Sequence, residues 1–497
     1  MDPVTLQVMV GALRAACEEM GVVLVRSAHS ANIKERRDAS TALFDARGEM
    51  AMQAEHIPVH LGAMPAAVEA IRAEEPGEGD AWIVNDPYRG GTHLPDITVV
   101  SPVHVGGELA GYAASRAHHA DVGGSIPGSM PADSRTLEEE GVVIEPTRLV
   151  HAGELDRDVL DAIVEGMRGR RQRVADLRAQ LAANRAGAAR VAELADRHGL
   201  DALREAMDAT LDYAERRTRA AIADLGDGER TATDVLEAPE GDLELRLLAR
   251  VDGDSLTLDF SGSAPQHEGN MNCPLAVTLS ACYFAVRVLA DPDVPPCAGA
   301  YRSVEVVAPE GCVLNARSPA AVVAGNVETS SRVADLVLAA FGRALGQGTM
   351  NNLTLGSDSF TYYETIGGGQ GACPDAPGPS AVHVAMSNTL NTPVEALELE
   401  FPLRAIEYSV RRGSGGAGEH SGGDGVAREV EALDEMQYSL LTERRRHRPA
   451  GAEGGEPGAA GRNLLDGEEL DPKASGTLRA GQRLRIETPG GGGHGRP

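Results

Sequence analysis

The segment 96–120, DITVVSPVHVGGELAGYAASRAHHA, constrains the fold of this chain more than any other stretch. Its β-branched and aliphatic residues are typical of two strands, and Gly106-Gly107 between them is typical of a tight hairpin turn. A hairpin returns the chain to where it began. The pair His118-His119, at the end of the second strand, must therefore lie beside Asp96, at the start of the first.

The loop before this hairpin adds another candidate metal ligand. His93 precedes Asp96 by three residues, and positions i and i+3 of a straight strand face opposite sides. Leu94-Pro95 provides the bend that turns both side chains to one side. Two imidazoles and one carboxylate are a ligand set for a divalent first-row metal ion. We predict a metal site here, with coordination positions left open for water or substrate, as catalysis requires.

The register of the hairpin decides which histidine faces the predicted site. A two-residue turn at Gly106-Gly107 places Asp96 opposite Ala117 and puts His119 on its face. A three-residue loop places Asp96 opposite His118 instead. The residues alone leave both registers open.

Three acidic residues are candidates for supporting roles. Asp121 follows the histidine pair and could accept an N–H from a metal-bound imidazole. Glu35 and Asp38 lie in the charged segment 32–41, NIKERRDAST, where either could act as a general base toward water. By residue type alone, that segment is more typical of a solvated turn between a helix and a strand.

Two glycine-rich segments and one histidine pair match functional patterns only in part. GSGGAG at 413–418 matches GxGxxG, but the following residues are not typical of the helix that a pyrophosphate needs. ETIGGGQGA at 364–372 lacks the GK[ST] ending of a phosphate loop. Backbone amides of this second segment could cradle an anion or oxyanion, but a tight structural turn is favoured. We reject a dinucleotide site at 413–418 and predict no ATP site in this chain. His56 and His60 have helical metal-pair spacing, but Pro58 disfavours a helix, so we expect structural or pocket-lining roles.

Charge and cysteine content exclude several classes of partner and location. The chain carries 74 acidic and 46 basic residues, a formal net charge of -28, which argues against nucleic acid or anionic membranes as partners. Its six cysteines form no CxxC pair, which is typical of reduced thiols. The N-terminus has no signal-peptide pattern, and no apolar run approaches the roughly 20 residues of a membrane span. We predict a cytoplasmic protein.

The length of 497 residues predicts two to four structural units, and composition changes along the chain. Segment 156–225 is proline-free and rich in Ala, Arg, Leu and Glu, which predicts long helices broken near His198-Gly199. Further on, 327–345 has helical periodicity and 381–386 has strand character. The predicted fold class is α+β. The predicted units are a β-hairpin-rich α+β region carrying the metal site (1–150), a helical segment (151–228), an α/β middle region (229–350) and a Gly-rich, β-dominated C-terminal region (351–497).

Nine segments, in order along the chain, carry a resemblance to a known family. They are IKERRDAS, HIPVHLGAMP, NDPYRGGTHLPDITVVSPV, RAHHADVGG, NMNCPLAVTLSACYFAVR, AGNVETSSRVADLVL, ETIGGGQGA, NTLNTPVEALELEFPLR and GSGGAGEHSGGDG. With them the chain resembles the hydantoinase B/oxoprolinase family, which includes the β subunit of ATP-dependent N-methylhydantoinase and the C-terminal half of 5-oxoprolinase. The resemblance covers essentially the whole chain, to the closing TPGGGGHG.

The resemblance implies the metal-dependent subunit of an ATP-dependent cyclic amidase, a hydrolase of cyclic amide C–N bonds. In such a pair, a hydantoinase A-like partner binds ATP and phosphorylates the amide oxygen of a lactam or hydantoin. The present chain then completes ring opening with water. This division agrees with the predicted absence of an ATP site here, and it implies a hetero-oligomer.

The resemblance also implies roles for individual residues. The related α subunit of acetone carboxylase holds manganese with an HxxD motif followed by a histidine. His93, Asp96 and His118 match that motif, so His118 is the implied third ligand, and the ion is expected to be Mn, Fe or Zn. His119 and Asp121 are then expected to support the ligands. Glu35 and Asp38 fall within a family block, IKERRDAS, which strengthens a catalytic role for them.

The sequence leaves three alternative functions. One is an acetone-carboxylase-like α subunit, although that subunit is markedly longer than this chain. Another is a non-catalytic partner that only shapes the site of the other subunit. The third, a non-haem iron oxygenase, suits two histidines and a carboxylate but not the family resemblance.

Overall fold

Four β-sheets form the framework of the computed structural model, which describes residues 2–55 and 57–497. His56, for which we expected a structural or pocket-lining role, lies outside the described residues. The α-helices are α1 (Pro3–Ser27), α2 (Ala31–Lys34), α3 (Ala63–Arg72), α4 (Leu137–Glu140), α5 (Arg157–Val164), α6 (Arg170–His198), α7 (Leu200–Ala223), α8 (Leu275–Leu289), α9 (Ser330–Ala340) and α10 (Val394–Glu400). Short 3-10 segments occur at Pro58–His60, Pro87–Arg89 and Ala298–Tyr301.

Twenty strands make up the sheets of the described chain. They are β1 (Ala39–Asp45), β2 (Met50–Glu55), β3 (Ala81–Val84), β4 (Asp96–Val105), β5 (Glu108–His118), β6 (Thr147–His151), β7 (Glu154–Leu155), β8 (Gly228–Ala238), β9 (Gly241–Asp252), β10 (Ser255–Asp259), β11 (Val304–Val307), β12 (Asn352–Gly356), β13 (Thr361–Glu364), β14 (Leu403–Arg411), β15 (Gly425–Ala432), β16 (Met436–Leu441), β17 (Arg462–Leu465), β18 (Glu468–Leu470), β19 (Lys473–Leu478) and β20 (Arg483–Glu487). The combination of helices and separate sheets confirms the α+β class, while the four unit boundaries stay a prediction.

The first sheet carries the predicted metal ligands, in the order β2-β1-β5-β4-β3-β6-β7. Strands β4 and β5 lie near its centre and are almost entirely buried. Helix α1 covers one face with an apolar stripe that includes Met9, Leu13 and Cys17, and Asp2 caps its first turn by accepting from two backbone N–H groups. Burial keeps bulk water away from the end of the hairpin that carries Asp96 and His118.

The predicted hairpin forms, and its register results from a tight turn combined with a bulge. The turn has two residues, Gly106-Gly107, with φ of 62° and 82°, a backbone conformation that glycine adopts without strain. The ladder then slips between Val103 and His104, where Ala110 is left without a partner. This β-bulge changes the parity, so Asp96 pairs with His118 rather than with Ala117.

The central segment forms the predicted long helices, α6 and α7, which break at Gly199 with φ of 91°. Helix α6 crosses the first sheet behind the ligand-bearing strands. Its buried Gln180 donates to the carbonyl of Ile97 at 2.9 Å, and Asn184 donates to that of Val99 at 3.0 Å. These bonds hold the helix against the first residues of β4.

In the middle region, the observed helix has different bounds from the one predicted over 327–345. A π-helical segment, Gly325–Thr329, precedes α9, which ends at Ala340. A methyl group on Gly325 would lie 1.8 Å from the carbonyl oxygen of Asn272. The two backbones therefore pack closely at Gly325, where the wider π-helical turn begins.

In the C-terminal region, the glycine-rich segments pack against one another and form neither a helix nor an open loop. A methyl group on Gly415 would lie 2.0 Å from the carbonyl oxygen of Gly422, and one on Gly422 would lie 2.0 Å from that of Gly491. These glycines are therefore required by close backbone packing.

The strand predicted over 381–386 is wrong. Ala381 and Ala385 have φ of 56° and 51°, which interrupts an extended chain, and Val382 alone in this segment makes a bridge, to Gly368. None of the helices within the described residues has the length and apolar character that crossing a bilayer requires.

Candidate metal centre

Three side chains predicted from the sequence meet at one end of the β4–β5 hairpin. Nε2 of His93 lies 3.2 Å from Nδ1 of His118, and Oδ1 of Asp96 lies 3.2 Å and 3.3 Å from these two nitrogens. All three residues are at most 2% exposed. The loop bend before β4 is closed by a hydrogen bond from the Asp96 N–H to the His93 carbonyl, which turns both side chains to one side.

The geometry and the donor set fit a divalent metal ion. Ligand bonds of about 2.1 Å separate neighbouring ligand atoms by about 3.0 Å in an octahedron and about 3.4 Å in a tetrahedron. The three observed separations lie between these limits. Each residue presents one ligand atom to the common centre. The cluster can therefore supply one face of a coordination polyhedron.

Metal binding requires neutral imidazoles and an ionised carboxylate, and the pKa directions of His118 and Asp96 agree with these states. Burial lowers the pKa of His118, which favours the neutral ring. Burial alone would raise the pKa of Asp96, but the charge of His93 and hydrogen bonds from His118 and His60 hold it well below its ordinary value.

Two further residues hold the carboxylate of Asp96 in place. Thr92 donates its hydroxyl to Oδ2 at 2.6 Å, and Nε2 of His60 lies 3.4 Å from the same oxygen. Nδ1 of His60 is in turn 2.9 Å from the hydroxyl of Ser40 in β1. Because Oδ2 is occupied in this way, Oδ1 is left to face the centre. Sequence reasoning gave His60 only a structural or pocket-lining role and missed Thr92, although Thr92 adjoins His93.

His119 and Asp121 lie close in sequence but have partners elsewhere. Nε2 of His119 lies 2.9 Å from the amide oxygen of Gln180 in α6, and burial lowers the pKa of His119 to about 4. Asp121 accepts from three backbone N–H groups and from the guanidinium of Arg168. No imidazole is among these donors in the described chain, so Asp121 organises the loop that follows β5.

The two predicted catalytic acids occupy different environments. Asp38 is 2% exposed, its backbone carbonyl accepts from the N–H of His118 at 3.0 Å, and its carboxylate lies 3.9 Å from Arg36. The side chain of Glu35 is 30% exposed and lies 4.0 Å from Lys34. The fold thus brings Asp38 beside the cluster, whereas Glu35 of the same segment stays partly exposed to solvent.

The C-terminal region contributes one side chain, Tyr363, that packs against the cluster. The ring of Tyr363, in β13, stacks on His118 with 4.5 Å between centroids and 9° between planes. The guanidinium of Arg36 lies 4.6 Å from the Tyr363 ring and donates to the backbone carbonyl of the same residue. Sequence reasoning assigned neither residue a role, and the only signal was that Arg36 lies within the block IKERRDAS and Tyr363 directly before the block ETIGGGQGA.

Comparison with known proteins identifies the family. The family model described as Hydantoinase B/oxoprolinase matches residues 2–497. The chain belongs to the hydantoinase B/oxoprolinase family. This confirms the resemblance inferred from the ordered motifs.

Two similar relatives differ in how much of their length this family member spans. It is 39% identical to a 5-oxoprolinase of Dictyostelium discoideum, with 100% of this chain but only 40% of that protein covered. It is 31% identical to the B-type subunit of a putative D-/L-hydantoinase from a Pseudomonas species, with 100% and 90% covered. The family domain therefore occurs both within longer chains and as a subunit of similar length.

Two solved structures share the fold. An ATP-dependent caprolactamase from Pseudomonas jessenii superimposes with a TM-score of 0.93 at 30% identity, covering 100% of this chain and 92% of the other. A nucleotide-free acetone carboxylase superimposes with a TM-score of 0.86 at 19% identity, covering 99% and 76%. The second similarity concerns the fold alone.

Proposed function

We propose that this chain is the metal-dependent subunit of an ATP-dependent cyclic amidase. Its substrate would be a lactam or hydantoin ring, activated by phosphorylation in a hydantoinase A-like partner. The observation that carries the proposal is the convergence of His93, Asp96 and His118 on one buried point, in a chain whose named relatives act on cyclic amides. A hydantoinase relative that the chain covers to 90% is named as a B subunit, which supports a separate partner subunit.

The proposed chemistry divides between an ion and the residues around it. A bound manganese, iron or zinc ion would supply Lewis-acid stabilisation of negative charge and a lowered pKa for water. Asp96 and the two imidazoles would hold the ion, with Thr92 and His60 fixing the carboxylate. Asp38 would accept a proton from the attacking water, and the burial of its carboxylate near His118 supports this role. Arg36, at 3.9 Å, balances the charge of that carboxylate.

ATP is proposed to bind to the partner. The backbone of the glycine-rich segments is packed against itself: the N–H of Gly416 donates to Gly491, and that of Gly491 donates to Gly423. These amides are already used and cannot cradle a phosphate. The two chains would form a hetero-oligomer. No cysteine within the described residues forms a disulfide, which suits the reducing cytoplasm proposed as its location.

Turnover should require both subunits and ATP. We expect 5-oxoproline, hydantoin or larger lactams to be opened, with ADP released, only when this chain and a hydantoinase A-like chain are mixed. The measurement is a substrate screen scored by ADP release and ring-opened product. Ring opening by the partner alone would show that this chain is not catalytic. Bicarbonate-dependent consumption of a ketone would instead support an acetone-carboxylase-like function.

Asp38 and Glu35 can be separated by isosteric variants. Asp38→Asn is expected to lower kcat by about 10²- to 10⁴-fold, the usual contribution of a general base, with metal content retained. Glu35→Gln should stay close to wild type, because that side chain is part-exposed beside Lys34. Parallel measurement of kcat and bound metal tests this. Loss of the metal in Asp38→Asn would contradict the base role and make Asp38 a ligand.

A further inference from the structure

We propose that Tyr363 is a positioning residue of the metal centre, which fixes the plane of the His118 ring. The inference rests on the proposed function, because it concerns how this chain would hold an ion at the three-residue cluster. It extends the site to a side chain about 245 residues away in sequence, contributed by a different sheet.

His118 lacks the usual means of orientation. Metal-binding histidines generally donate their second ring N–H to a carboxylate or carbonyl, and this bond sets the ring. The second nitrogen of His118, Nε2, is buried and has no hydrogen-bond partner within the described part of the chain. Something else must therefore direct its Nδ1 toward Asp96.

The stack on Tyr363 can do this. The lone pair of Nδ1 lies in the plane of the imidazole ring, so fixing that plane restricts the direction of the lone pair. Tyr363 lies nearly parallel to His118, with 9° between planes. The backbone N–H of His118, bonded to the Asp38 carbonyl, fixes the other end of the residue. Together these contacts leave the ring little freedom to turn away from the centre.

Tyr363 is itself firmly held. Its hydroxyl donates to the Asn352 side-chain oxygen at 2.7 Å, and the Asn352 amide donates to a carboxylate oxygen of Glu328 at 3.0 Å. Its backbone carbonyl accepts from Arg36 at 3.1 Å. A ring anchored at its hydroxyl, at its backbone and on one face cannot move independently of the fold.

This chain of contacts links the site to the π-helical segment. Glu328 lies within Gly325–Thr329, and widened turns of this kind recur at functional sites. The close approach of Gly325 to Asn272 locks the segment in place. The contacts from Glu328 through Asn352 to Tyr363 thus fix the His118 ring relative to the π-helical segment.

The test measures metal binding by the full chain. Tyr363→Leu should weaken cobalt(II) and zinc(II) affinity by about 10- to 100-fold, the usual effect of losing an orienting partner, and should alter the visible spectrum of bound cobalt. Tyr363→Phe keeps the ring but loses the hydroxyl bond to Asn352, so it should fall between wild type and Tyr363→Leu in both measurements. Tyr363→Met fills a similar volume with a flexible chain and replaces the leucine variant if that one does not fold. Thermal melting verifies the fold of each variant.

Tyr283 provides a matched control, because it stacks on Tyr301 at 4.0 Å and 9°. Tyr283→Leu should leave the metal affinity and the cobalt spectrum unchanged. Wild-type affinity and spectrum in a folded Tyr363→Leu or Tyr363→Met protein would overturn the inference alone. Failure of the wild-type chain to bind any ion would overturn the proposed function, and this inference with it.

Discussion

Asp96→Asn is expected to abolish metal binding and to lower ATP-dependent ring opening by about a thousandfold, which corresponds to the several kcal/mol that a Lewis acid contributes. The substitution keeps the shape of the side chain but removes its negative charge. Asp96 is the one carboxylate among the three clustered residues, and its Oδ1 lies 3.2 Å and 3.3 Å from the two imidazole nitrogens. His93→Ala should have a similar effect.

Metal content of the reloaded proteins, measured by elemental analysis, tests this prediction alongside kcat. Asp80→Asn is a suitable control, since Asp80 is also buried in the first region but accepts from the backbone N–H groups of Ala152 and Gly77. It should retain the ion. Stoichiometric metal in both Asp96→Asn and His93→Ala would refute the site.

The second large effect is expected from Glu443→Ala, which should lower the free energy of unfolding by about 3–5 kcal/mol. Glu443 is fully buried and accepts from the Glu237 N–H, from Arg332 at 3.0 Å and from Lys473. Its removal leaves Lys473 as a buried cation without its carboxylate. These residues join the sheet that contains β8 to the sheet that contains β16 and β19, so the loss should weaken the contact between the two sheets.

Chemical denaturation of the variants tests this. Glu443→Leu combined with Lys473→Met removes both members of the pair and should lose less stability than Glu443→Ala. The control is Glu229→Ala, which breaks an ion pair with Arg250 whose side chains are 57% and 54% exposed, and should cost less than about 1 kcal/mol. Equal losses for Glu443→Ala and Glu229→Ala would show that burial does not strengthen the first pair.

Local patterns in the sequence were sufficient for several features. The break between α6 and α7 at Gly199 and the hairpin turn at Gly106-Gly107 both follow from short-range chemistry. The strand predicted over 381–386 failed because residues of ordinary strand propensity adopt positive φ there. Tertiary contacts outweigh a weak local preference in such a segment.

By itself, the sequence determined that His93 and Asp96 share a bend and that the β5 histidine pair returns to them, because a hairpin is a local structure. Only the tertiary structure decided the rest. The bulge at Ala110, which brings His118 opposite Asp96, depends on pairing between strands and leaves no mark in turn length. Tyr363 reaches His118 from another sheet, and contacts between residues so distant in sequence are set by how sheets pack, which no local pattern encodes.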